Sequence, residues 1–412
     1  KKFELGLFEN PYVDEGGVLA EFETPANREL AKEIAEQSLV LLKNDGTLPI
    51  KPSVKKIALI GPNADTWRCM VGDYSYPSMR ELLCQDPPEG SGYVGLTQAD
   101  NEKMPVEIPT VFESLKVSAP SSMDVQYAKG CDVSSKDQSG FAEAVELAKV
   151  SDVAVVVLGH KSGLAYDCTT GEFRDSTDLG LPGMQAELLQ AILETGKPIV
   201  LVLINGRPLS IPAYVEAANA LLEAWVPGEE GASAIASALL GELNPGGKLP
   251  VSIARSVGQV PVFYNYKPSG MRSNIYGDYV NESVKPLFPF GHGLSYTQFT
   301  YCNLKLDKEQ AGLDEILQIA FDVKNTGSVA GDEVVQLYTS DEYAAFPRPV
   351  KELRGFVRVH LLPGERKSVQ FDLPVNMLAY YGEGLKLVLE PGTVKVLVGS
   401  SSEDIRLQAA FE

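Results

Sequence analysis

The spacing of apolar positions changes character along the chain, and each change predicts a different kind of element. In residues 27–43, NRELAKEIAEQSLVLLK, Leu30, Ile34, Ser38, Leu41 and Leu42 recur at helical spacing, with Asn27 where an N-cap belongs. NDGTLPI is a turn, and KKIALIGPNAD reads as a buried strand running into a polar loop. DVQYAKG predicts a second strand and FAEAVELAKV an amphipathic helix. DVAVVVLGH is an unbroken apolar run, the pattern of a parallel strand covered on both faces. Helix GMQAELLQAILETG, strand PIVLVLING, helix IPAYVEAA, strand ALLEAW and helix EEGASAIASALLG follow in turn. Strands alternating with helices at this spacing predict a doubly wound α/β sandwich over residues 27–255.

Residues 71–110 are rich in Gly, Pro and Tyr and read as a long irregular excursion, which in a compact domain is usually functional. Residues 256–300 lose the alternation to Gly, Pro, Tyr and Asn, and their aromatic content predicts a linker packed on a surface. From 301 to 412 the period becomes two, as in EILQIAFDVKNTGS, DEVVQLYTS, KSVQFDLP and LKLVLEPGTVKVLVGSSS, with Asn-Thr-Gly, Pro-Gly and Glu-Gly turns. This predicts a small antiparallel β-sandwich.

Composition narrows the partners. The net charge of −19 repels nucleic acid and anionic membrane, so neutral or sugar-like ligands fit better than polyanions. No apolar run is long enough to cross a bilayer. The five cysteines form no CxxC pair and no Cys/His cluster, and His160, His292 and His360 are far apart, so neither a disulfide framework nor a metal site is expected. Cys69 and Cys84 leave room for a bridge, but read more readily as free thiols.

Ligands of a parallel sheet gather at the carboxyl ends of its strands, and two loops there are chemically loaded. One follows IALIG and reaches GDYSYP; the other follows VAVVVLG and contains TTGEFRDSTDLGLPG. Neither carries GxGxxG or GxxxxGK[ST], so no nucleotide cofactor is expected, and no GxSxG elbow exists for a serine hydrolase. Glu172, Arg174, Asp175 and Asp178 crowd into seven residues broken by glycine and proline, too charged for a core strand and too interrupted for a helix. A Gly-flanked Glu172 suits a carboxylic acid that protonates a leaving oxygen; composition by itself favours a merely solvated acidic loop.

GEFRDSTDLGLPG resembles the acid/base loop of family-three glycoside hydrolases, where a Glu is followed six residues later by Asp and an apolar residue, then Leu-Pro. EIAEQSLVLLKNDGTLPI, KIALIGPNAD, PGEEGASAIASALLGELNPGGKLPVS, FPFGHGLSYTQF and RPVKELRGF resemble, in order, that family's second and third domains, the third fibronectin-type-III-like. The resemblance implies a retaining, exo-acting β-glucosidase or β-xylosidase without cofactor, Glu172 as general acid/base, and Tyr74 and Tyr76 in the aromatic wall offered to the leaving-group sugar. It implies structural roles for Arg174, pairing Asp175 or Asp178, and for His292, at a junction between domains. FELGLFENPYVD resembles the segment leaving the family's N-terminal (β/α)8 barrel, so residues 1–26 read as its tail and linker, with Phe3, Leu5, Leu7 and Phe8 belonging to something upstream. The nucleophile Asp of that family lies on the barrel and has no match here, which makes a barrel polypeptide an expected partner beside the carbohydrate. The alternatives are a carbohydrate-binding remnant that does not cut and a purely structural pair of sandwiches.

Overall fold

The computed structural model describes residues 1–22, 24–84, 106–268 and 277–412. Six strands form one sheet: β1 (Val40–Asn44), β2 (Lys56–Ile60), β3 (Asp124–Ala128), β4 (Val153–Gly159), β5 (Ile199–Ile204) and β6 (Ala220–Trp225). Their spatial order is β1-β6-β5-β4-β2-β3, with β2 to β6 mutually parallel and β1 antiparallel on the edge. Alternate residues of each central strand enter opposite cores. Ile57, Leu59, Val155, Val157, Val200 and Val202 pack with Leu115, Ile235 and Leu239 on one face. Ala58, Ile60, Val156, Leu158, Leu201 and Leu203 pack with Ala144, Leu188 and Ile192 on the other. Helices thus cover both faces, and β4 and β5 are buried along their whole length.

The structure corrects the reading of 27–43. The helix runs Pro25–Ser38, and its cap is Thr24, whose hydroxyl accepts from the Asn27 N–H at 3.2 Å. Leu41 and Leu42 belong to β1, because Val40-Leu41-Leu42 finds an unpaired edge in β6 and lies buried against it. The helix buries Ala35 and leaves Leu30 and Ile34 exposed. The excursion at 71–110 is likewise more ordered where it is described: Tyr76–Cys84 is a helix, and at the excursion's end Thr110 caps the following helix, Val111–Ser118, in a capping box with Glu113. Its residues 85–105, and 269–276 of the linker, lie outside the described residues.

The C-terminal residues form a sandwich of a four-stranded and a three-stranded antiparallel sheet. Leu317, Ile319, Phe321 and Val323 alternate inward from one sheet toward Val335, Leu337, Val396 and Val398 of the other. Strand Glu352–Leu361, which sequence reading left out, pairs with Gly331–Asp341 along its whole length. Where the linker packs on β1, the His292 ring bonds the Leu42 carbonyl at 2.9 Å and stacks on Phe288. Leu294 N–H donates to Leu41 O at 2.8 Å, and Lys248 pairs with Glu333 at 3.0 Å. Cys69 is a buried free thiol, while the Cys84 side chain lies outside the described residues. Among the described residues no helix is long and apolar enough to cross a membrane.

Candidate active site

Two adjacent parallel strands, β2 and β4, send their following loops toward one another at the carboxyl end of the sheet. The chain after β4 doubles back: Ser162 bridges Thr170, and Gly163 N–H donates to Thr170 O at 3.0 Å. Gly171 then holds φ at 126°, where a Cβ would come within 2.6 Å of Gly163 O and 2.7 Å of an Asp73 carboxylate oxygen. Only glycine fits such an approach. The turn delivers Glu172 to the surface.

The loop after β2 meets it there. It passes through a 3-10 turn, Arg68–Met70, then bends at Gly72–Ser75, where Ser75 N–H donates to Gly72 O at 3.2 Å. Asp73 accepts the Glu172 N–H on Oδ2 at 2.8 Å and the Ser162 hydroxyl on Oδ1. The Tyr74 hydroxyl donates to Glu172 Oε2. That bond to a carboxylate holds the phenolic proton and raises the Tyr74 pKa, with burial and the charges of Glu172 and Asp73 adding to it. Tyr74 remains largely exposed, as does Glu172.

A polar network beneath fixes the two loops together. Arg68 Nε donates to Glu81 Oε2 at 2.7 Å, and Lys161 donates to Glu81 at 2.5 Å and Asp167 at 2.6 Å. Burial opposes the charge of Lys161, but its hydrogen bonds to Asp167 and Glu81 outweigh burial and raise its pKa. Lower still, at the strand ends, lie Asn63, His160, Asn205 and Glu223, all buried. Burial lifts the Glu223 pKa to about 8, although its carboxylate accepts from Trp225 N–H at 2.9 Å and Asn205 Nδ2 at 3.4 Å. Burial lowers that of His160 to about 4, with Arg207 adding to the effect.

The structure brings together Glu172 and Tyr74 of the three residues singled out in the sequence. Tyr76 opens the helix Tyr76–Cys84, and its hydroxyl accepts from Arg80 at 3.1 Å; no described bond joins it to Glu172. Among the described residues Arg174 pairs neither Asp175 nor Asp178: it donates to Leu164 O at 2.9 Å and stands over the Tyr166 ring. A guanidinium half-buried beside a carbonyl and an aromatic face is better satisfied there than by two solvated carboxylates. Asp73, Ser162 and Lys161 were missed, though Asp73 directly precedes Tyr74 in GDYSYP. Among the described residues no group of three His, Cys, Asp or Glu side chains is arranged to hold a metal ion.

Comparison with known proteins sets this chain in a family. Residues 39–296 match the Glycosyl hydrolase family 3 C-terminal domain, and residues 333–402 the Fibronectin type III-like domain. A β-xylosidase of Formosa agariphila is 42% identical over 98% of this chain and 52% of its own length. A periplasmic β-glucosidase of Salmonella typhimurium is 37% identical over 100% of this chain and 54% of its own. The crystal structure of a β-glucosidase from Listeria innocua in complex with isofagomine superposes with a TM-score of 0.83 at 31% identity, covering 100% of this chain and 54% of that one. The chain spans about half the length of the curated relatives it matches. With the doubly wound domain, the fibronectin-type-III-like sandwich and most of the chain matched in order, the chain belongs to glycosyl hydrolase family 3, as its C-terminal region.

Proposed function

We propose that this chain supplies the general acid/base, Glu172, of a retaining, exo-acting β-glycosidase hydrolysing β-glucosides or β-xylosides, while a (β/α)8 barrel supplies the nucleophile. The observation that carries the reading is the presentation of Glu172: an exposed carboxyl at the carboxyl end of a parallel sheet, held by a backbone bond to Asp73 and a side-chain bond to Tyr74. In the retaining mechanism such a group protonates the leaving oxygen, then removes the proton of the water that opens the glycosyl-enzyme. The second carboxyl must stand about 5–5.5 Å away across the anomeric carbon. Asp175 and Asp178 share the loop of Glu172, so neither is suited to approach the sugar from the opposite side.

The barrel partner is supported by surface chemistry. Phe3, Leu5, Phe8, Tyr12 and Phe22, with Leu30 and Ile34 of the first long helix, are exposed apolar side chains in the segment that would join a barrel. Residues 1–26 are read accordingly as barrel tail and linker. Tyr74, with its exposed ring, is assigned to the leaving-group sugar; Tyr76 stands beside it in sequence but pairs with Arg80.

The test is hydrolysis of an aryl β-glucoside and an aryl β-xyloside by this chain with and without the barrel. Turnover is expected only with the barrel, with a 2-fluoro-sugar inactivator labelling an Asp there. Turnover by the chain by itself, with the label on one of its own residues, overturns the division of labour. Sugar binding without hydrolysis in the assembled protein instead favours the non-catalytic, carbohydrate-binding reading.

A further inference from the structure

A glutamate that works as both acid and base must return to one position after each proton transfer. Its three rotatable bonds oppose that, since ordering such a side chain costs rotamer entropy. On an exposed loop, apolar packing cannot hold it. Polar contacts must.

The contacts present are unusually local in origin. Two consecutive residues of the neighbouring loop hold Glu172 at two separate points, Asp73 at the backbone N–H and Tyr74 at the carboxylate. Asp73 is shared with the half-turn before Glu172 as well, since its other oxygen takes the hydroxyl of buried Ser162. One carboxylate therefore ties together the outgoing and returning arms of the β4 loop. Gly171 admits it, because any Cβ there would lie against the Asp73 Oδ2 that accepts the Glu172 N–H. Among the described residues Glu172 Oε1 accepts no hydrogen bond, so one oxygen is committed to Tyr74 and the other remains for a glycosidic oxygen.

We propose that Asp73 and Tyr74 are positioning residues for Glu172, Asp73 fixing its backbone and the Tyr74 hydroxyl its carboxyl orientation. The proposal rests on the acid/base reading of Glu172. It also divides Tyr74 into two parts: the ring faces a sugar, while the hydroxyl serves the carboxylate. Tyr74→Phe separates them, keeping the ring and deleting the hydroxyl, and a mostly exposed side chain tolerates the change without loss of fold.

The experiment uses the assembled enzyme, barrel included, and compares wild type, Tyr74→Phe, Asp73→Ala, Asp73→Asn and Glu172→Ala on a disaccharide and on a dinitrophenyl glycoside. Tyr74→Phe is expected to lower kcat on the disaccharide about tenfold, the scale of one hydrogen bond to a charged group, with KM little changed. The dinitrophenyl glycoside, which barely needs protonation, should keep its glycosylation rate within about twofold. Asp73→Ala should cost roughly a hundredfold on the disaccharide, and Asp73→Asn, which retains an acceptor for the Glu172 N–H, should recover most of it. Thermal melts of the variants check that the fold is unchanged. If Glu172→Ala shows its leaving-group dependence while Tyr74→Phe is silent, or raises only KM, the positioning role falls and the acid/base reading stands. If Glu172→Ala itself shows no leaving-group dependence, both fall together.

Discussion

Glu172 and Glu223 stand at the same end of the same sheet, the first on the loop after β4 and the second inside β6. Glu172 is exposed and clamped by groups from a neighbouring loop. Glu223 is fully buried, folded back onto the N–H of Trp225 with Asn205 beside it. By proton affinity, Glu223 is the more conspicuous, since burial carries its pKa to about 8. A perturbed pKa is a usual mark of a functional group, but here its first cause is desolvation, and the same desolvation shuts substrate out. The comparison separates a carboxyl kept inside the fold from one presented at its surface.

The sharpest way to break that contrast is to remove each carboxyl in the barrel-complete enzyme. Glu172→Ala is expected to slow cleavage of poor leaving groups by roughly two to four powers of ten. Azide should then restore turnover on activated glycosides and yield a β-glycosyl azide, because it attacks the covalent intermediate without needing a base. Glu223→Gln should leave kcat/KM within a few-fold. Steady-state kinetics with product analysis by NMR decides it; a Glu223→Gln enzyme as impaired as Glu172→Ala would end the distinction.

A smaller effect concerns stability against pH. Glu223 holds its proton more tightly folded than unfolded, so the stability it contributes is full below 4.5 and is lost as pH rises from there to about 8. His160 runs the other way: with its pKa lowered from 6.5 to about 4, its contribution is full above 6.5 and is lost as pH falls toward 4. Between 4.5 and 6.5 the two slopes oppose; above 6.5 only that of Glu223 remains. Denaturant melts should show Glu223→Gln removing a loss of roughly 2 kcal/mol between pH 6.5 and 8 relative to wild type. Parallel pH profiles for the two proteins would mean that Glu223 does not carry the proton.

The smallest effect sharpens the exposed side of the comparison. Tyr74→Ala removes the ring as well as the hydroxyl, so KM for disaccharides should rise more than for small aryl glycosides. Loss of one stacking face corresponds to about 1 kcal/mol. Equal rises for both substrate classes would detach Tyr74 from the leaving-group sugar.

How much of this was legible in the sequence depends on which part of a residue acts. The strand VAVVVLG announces itself because both faces of a central parallel strand are buried, and every side chain reports it. VLLKN does not, since three apolar residues after a helical repeat extend either pattern, and only the pairing with β6 decides. The crowded charges around Glu172, read with the family's loop, marked that loop. Tyr74 was marked by the resemblance of GDYSYP to the family's loop, but Asp73 was not: its partner is a backbone N–H, and every residue except proline has one. Arg174 was misread for a related reason, because the acceptor that won was a main-chain carbonyl, which leaves no trace in the residue names. Helix Tyr76–Cys84 was hidden by the Gly, Pro and Tyr around it, although Pro77 suits the first turn of a helix.

Strand β1 has a consequence for anyone who would cut or recombine this protein. It closes the exposed edge of β6, and on it converge the helix before it, the Leu294 bridge and the His292 ring. From the other domain, Arg358 reaches the Gln37 carbonyl at the end of that helix. A crossover placed between Ser38 and Asn44 would unstitch a naked β edge that invites pairing with another chain. The units that can be exchanged between relatives are therefore larger than the matched segments: a transplant of 39–296 needs the helix that leads into it and a sandwich able to meet the same seam. Shuffled enzymes that keep Pro25–Ser38, β1 and the 288–294 turn from one parent should assemble where those that split them do not.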